Sequence, residues 1–135
     1  MLSSDHLWQA YKGTYFRWQS AALKATQFAI ITAYNPRSEV LTDARNARRQ
    51  DLLEQQLITQ GLDYAHILAG DRKLEYTEVS LAVDCDLHKA IELASTYSQN
   101  AIFYVDEDSL LLVPILLNAK STERLGSFNC RLVPT

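Results

Sequence analysis

Six polar side chains carry the chemistry that this chain offers: Asn35, Arg37, Asn46, Arg49, Glu78 and Gln99. Guanidinium groups hold phosphates and carboxylates bidentately, and carboxamides read the polar groups beside them. The set therefore suits a small anionic or nucleotide-like ligand. Arg37, Arg45, Arg48 and Arg49 place four cations within thirteen residues, against Glu39 and Asp43. A helix starting just after this break adds free N–H groups and partial positive charge to the same corner. The loop holds no glycine, so it cannot wrap a phosphate as a Walker loop does. Glu75 or Glu78 beside Arg49 gives a second reading, the Glu/Arg pair of a hydrolase or nuclease.

These residues must be positioned by the elements around them. Residues 25–34 read as a strand, with Phe28, Ile30 and Tyr34 on one face and Ala29, Ile31 and Ala33 on the other. Neither face is polar, so the strand is expected to be central and covered on both sides. Asn35-Pro36-Arg37-Ser38 breaks it, and Thr42 or Ser38 caps a helix that ends at Gln60 before Gly61. On that helix Leu53 and Leu57 face inward. Asn46, seven residues before Leu53, returns to nearly the same face, and Arg49 lies one turn from it. The stripe is thus apolar in its last turns and polar in its first, which means either an overhang into water or the wall of a pocket. Residues 63–69 and 73–84 read as strands joined at Gly70-Asp71-Arg72. In the second of these, Val79, Leu81 and Val83 share a face, leaving Glu78, Ser80 and Ala82 on the other. A carboxylate within a central strand needs a partner, and one of the arginines is expected to supply it.

Ser3 or Ser4 caps an N-terminal helix over residues 4–16, with Leu7, Trp8, Tyr11 and Tyr15 at three- and four-residue steps. Asp86 caps a further helix that Asn100 stops. Strands 101–105 and 110–116 follow around Asp106-Glu107-Asp108-Ser109, and residues 118–135 read as a tail. The expected class is α+β: one domain over 1–135, a ferredoxin-like βαββαβ core, an N-terminal helix and an added C-terminal strand in a mostly antiparallel five-stranded sheet. That winding brings Asn35, Arg37, Asn46, Arg49, Glu75, Glu78, Gln99 and Asn100 to one rim, with Arg124, Asn129 and Arg131 if the tail folds back. Strand 110–116 is expected at an exposed edge, so a protein-interaction or homodimerisation module without a small ligand is the alternative.

Composition narrows the field. The 135 residues are 47% hydrophobic and 21% charged, which are globular values. The longest apolar run, Leu110–Leu117, is far short of the ~20 residues that span a bilayer, so no membrane partner is expected. Thirteen basic against sixteen acidic side chains leave a net charge of −3, which disfavours nucleic acid. Met1–Leu7 has neither the basic nor the apolar region of a secretory signal, and a cytoplasmic location is expected. Cys85 and Cys130 lie far apart, and His6, His66 and His88 share no ligand spacing, so no metal or cofactor is expected. Cys85 precedes a helix N-terminus, which can lower a thiol pKa, but a buried inert thiol is the commoner outcome. The catalytic residues stay unknown at this level, as does whether the protein is an enzyme.

Tyr11-Lys-Gly-Thr14-Tyr15, Ile31-Thr-Ala-Tyr-Asn35-Pro36, Asn46, Glu78-Val-Ser-Leu, Gln99-Asn-Ala-Ile-Phe-Tyr104 and Gly126-Ser127-Phe128 together resemble a bacterial family of short proteins catalogued as domain of unknown function 3293. The resemblance implies a bacterial cytosolic protein and carries no established activity.

Overall fold

The computed structural model describes residues 3–135. In chain order these form α1 (Ser4–Lys12), β1 (Tyr15–Trp18), β2 (Gln27–Ile31), a 3-10 turn (Pro36–Ser38), α2 (Asp43–Thr59), β3 (Tyr64–Gly70), β4 (Thr77–Val83), α3 (Leu87–Thr96), β5 (Ala101–Asp106), β6 (Ser109–Pro114), β7 (Glu123–Ser127) and a second 3-10 turn (Asn129–Arg131). The class is α+β. All seven strands join one sheet in the order β1-β3-β4-β2-β5-β6-β7, and every adjacent pair is antiparallel. β2 lies between β4 and β5, as its two apolar faces require.

Local chemistry sets the helix ends. The side chains of Ser3, Thr42 and Asp86 accept from the backbone N–H three residues on, capping α1, α2 and α3. Gly61, at φ 69°, turns the chain out of α2. Asn100 does not stop α3; the left-handed residue there is Ser98, at φ 54°.

The sheet curls into a half-barrel. Phe16 of β1 and Phe103 of β5 meet edge-on with ring centroids 5.1 Å apart. Four strand steps on a flat sheet would separate them by about 19 Å. Phe16, Phe28, Ile30, Ile67, Ala82, Phe103, Leu110 and Leu112 fill the concave side, where Trp8 of α1 and Phe128 close over them. The convex side carries α2 and α3, whose Leu53, Leu57, Ala90, Leu93 and Ala94 pack on Ala29, Ile31, Leu81 and Val83.

The sequence reading needs further corrections. The N-terminal helix stops at Lys12 rather than residue 16, and Tyr15–Trp18 is an edge strand. Phe16 and Trp18, two residues apart, both turn to the concave core as strand alternation requires, and Gly13 ends the helix first. Residues 123–127 within the expected tail form β7, so the sheet has seven strands, not five. With β7 in place, β6 is paired on both sides and offers no exposed edge. Strand 73–84 begins only at Thr77, because the backbone N–H of Tyr76 donates to the Asp71 carboxylate and closes residues 71–76 into a loop.

Candidate functional site

The concave side is packed by aromatics at one end of the strands and open at the other. A cavity of about 620 Å³ lies at the open end, where β2 and β3 finish and β4 and β5 begin. Ile30, Phe103 and Ile102 supply apolar wall, and Tyr11 and Thr14 reach it from α1 and the turn that follows. Glu78 and Ser80 line it because strand alternation puts them on Ala82's face, the concave one. Ser80 is 2% exposed, and its hydroxyl donates only to the carbonyl of Glu78, at 3.3 Å.

Burial pushes the Glu78 carboxyl above the ordinary carboxylate value, and one hydrogen bond opposes that shift. The donor is Nδ2 of Asn35, at 3.3 Å. Among the described residues no arginine pairs with Glu78, and the physical reason is the sheet itself. The α2 arginines stand on the convex side, whereas Glu78 faces the concave side. Arg49 donates from Nε to the carbonyl of Ala33 at 2.7 Å and from a terminal nitrogen to the carbonyl of Tyr97 at 2.6 Å. Its guanidinium also lies 5.9 Å from the Tyr97 ring centroid. It thus ties the exit of β2 to the end of α3.

Asn35 connects the two sides. Its backbone N–H donates to Oδ1 of Asn46 at 2.9 Å, and its own Oδ1 accepts from Nδ2 of Asn46 at 2.8 Å and from the N–H of Leu41 at 3.0 Å. This paired amide explains why a helix core position carries Asn46, which is 3% exposed. The loop it holds is strained: Asn35, Arg37 and Ser38 all lie in the left-handed region, at φ 44°, 54° and 62°. Further ties fix it. The Arg37 N–H donates to the carbonyl of Ser98, and the Asn100 amide donates to the Ser38 hydroxyl, which also bonds Tyr11. Gln99 donates from Nε2 to the carbonyls of Tyr34 and Tyr97 at 3.1 and 3.2 Å.

The structure therefore gathers Asn35, Asn46, Glu78 and Gln99 around one loop. Asn35, Glu78 and Gln99 line the cavity; Asn46, Arg37 and Arg49 do not. Of the tail residues, Arg124 and Asn129 sit at the opposite end, bonded to Ser109 and Asp108. Arg131 clamps the carbonyls of Lys12 and Thr14, both at 2.8 Å. Sequence reasoning gave too little weight to Tyr11, Thr14, Ser38 and Ser80. Ser80 was recoverable from its shared face with Glu78; the others depend on how α1 and the loop fold over the sheet. Burial, aided by Asp86 and Asp84, pushes the Cys85 thiol up to about 11, which disfavours its thiolate. Among the described residues no group of three metal-ligating side chains occurs, and no helix is long and apolar enough to cross a membrane.

No curated protein and no solved structure matches the chain. A family described as "Protein of unknown function (DUF3293)" matches residues 31–102, just over half of the sequence, running from the end of β2 to the start of β5. That span holds the strained loop, Asn46, Arg49, Glu78, Ser80 and Gln99, while Tyr11, Thr14 and Phe103 fall outside it. The chain belongs to the DUF3293 family.

Proposed function

We propose that this protein binds a small polar organic molecule in the cavity on the concave side of its sheet. The observation that carries this reading is a space of about 620 Å³ whose wall combines the Glu78 carboxyl, the Ser80 hydroxyl and the tyrosines 11, 34 and 76. Its volume falls in the range of small-molecule sites. A strained loop braced by buried amides beside it supports the same conclusion, because such strain persists where the surroundings enforce a functional shape. The anionic or nucleotide-like ligand suggested by the arginines has less support. Among the described residues, the cavity wall carries Asp71 and Glu78 and no Lys, Arg or His.

We also read β2, α2, β3, β4, α3 and β5 as a ferredoxin-like unit. The position of β2 between β4 and β5, and the shared face of the two helices, support that reading.

Thermal-shift screening against a broad metabolite library tests the binding. Some compounds should raise the Tm of the wild type, as any ligand selective for the native state does. Ser80→Leu, which fills the cavity from its wall, should abolish those shifts while far-UV circular dichroism stays unchanged. A library with no stabilising compound, or full shifts retained in a folded Ser80→Leu variant, would contradict the proposal.

A further inference from the structure

We infer that the molecule taken up by this cavity presents a positively charged amino group to Glu78, an inference that rests on the binding reading above. The first support is the charge of the wall. Glu78 and Asp71 are its acids, and among the described residues no cationic side chain lines it. Several neighbouring cations are engaged elsewhere. Arg49 bonds carbonyls on the convex side, Arg131 bonds Lys12 and Thr14 and lies over Tyr15, Arg72 also lies over Tyr15, and Lys12 pairs with Glu123.

The second support is the unfilled hydrogen-bonding capacity of Glu78. An ionised carboxylate offers about four lone-pair sites. Glu78 receives one side-chain donor, Asn35, at a long 3.3 Å. The nearby Ser80 hydroxyl turns to a backbone carbonyl instead. An ammonium brings three donors and a full charge, so it satisfies the carboxylate in a way that no lining residue does.

The third support is the company it keeps. Tyr11 from α1, Tyr34 from the exit of β2 and Tyr76 from the loop before β4 line the same space, with Phe103 of β5. Aromatic faces attract cations and repel anions. The titratable groups that share the cavity with Glu78 are thus Tyr11, Tyr34, Asp71 and Tyr76, and none of them brings positive charge.

Matched probes decide the question: putrescine and tyramine against 1,4-butanediol and tyrosol, with AMP as the anion, each titrated calorimetrically. The amines should bind wild type at least about tenfold more tightly than the alcohols, in line with a charge-assisted hydrogen bond. Binding should release protons at pH 4.5, where a raised Glu78 carboxyl is more than half protonated, seen as a dependence of the heat on the buffer. Glu78→Gln should remove both the preference and the proton release. If Glu78→Gln does not fold, the wild type still decides: amine affinity should rise from pH 4 to pH 7 while butanediol affinity stays flat. Equal or tighter binding of the alcohols or AMP, no binding of either amine, or an amine preference retained in Glu78→Gln would overturn the inference. Neutral or anionic ligands that bind wild type but not Ser80→Leu would leave the cavity reading standing; no ligand of any class would end both.

Discussion

Replacing Arg49 by Met separates a structural arginine from a ligand-binding one. The substitution keeps the unbranched stem and removes the guanidinium fork. The carbonyl of Ala33 then loses its Nε donor at 2.7 Å, and that of Tyr97 loses its donor at 2.6 Å, keeping only the Gln99 amide at 3.2 Å. A hydrogen bond to a charged group contributes about 1.5–3 kcal/mol. Because Arg49 is only partly buried, water can reach some of the freed groups, and the expected cost falls to about 2–4 kcal/mol. With unfolding entropies near 2.1 cal/mol/K per residue, that corresponds to a Tm loss of roughly 7–14 °C for a chain of this length. Urea denaturation and calorimetry give both quantities. Arg45→Met is the control. Its side chain is exposed on the same helix, and its change should stay within about 0.5 kcal/mol. An Arg49→Met variant as stable as that control would refute the claim that Arg49 braces the rim.

Two further outcomes follow from the buried groups. The native state raises the Glu78 carboxyl above its unfolded value near 4.5, so it favours the protonated form. Stability from this group is complete below about pH 4.5 and is lost as pH rises through the native value. Glu78→Gln, neutral throughout, should match wild type at pH 4 and exceed it at pH 7; equal Tm differences at the two pH values would contradict the assignment. Alkylation with iodoacetamide at pH 8 should modify exposed Cys130 and spare Cys85, whose thiol is held near 11. Mass spectrometry that finds both cysteines modified at similar rates in the native protein would contradict that burial.

Much of this geometry was legible in the chain. Alternation alone placed Glu78 and Ser80 opposite Leu81 and Val83, and two apolar faces made β2 central. Ser3 or Ser4, Thr42 or Ser38, and Asp86 marked the helix starts, and the caps are Ser3, Thr42 and Asp86, whose side chains satisfy backbone donors locally. The failures share a cause: contacts set by distant segments. Tyr15–Trp18 becomes a strand because β3 offers it an edge, and residues 123–127 do so because β6 does. The arginines and Glu78 were placed on one rim without asking on which side of the sheet each stood. Both facts were present, since Leu53 must pack on the face of Leu81 and Glu78 must leave it. Asn46 was correctly marked as out of place on an apolar stripe, but its partner is the backbone and amide of Asn35 rather than a ligand.

The most direct measurement is a map of amide chemical-shift changes in isotope-labelled protein titrated with putrescine. The largest changes should fall on Thr14, Ala69, Ser80, Asn100 and Ala101, which enclose the concave cavity. Changes confined to Arg45, Arg48 and their neighbours at the start of α2, with those five amides silent, would place binding on the convex side and contradict the account.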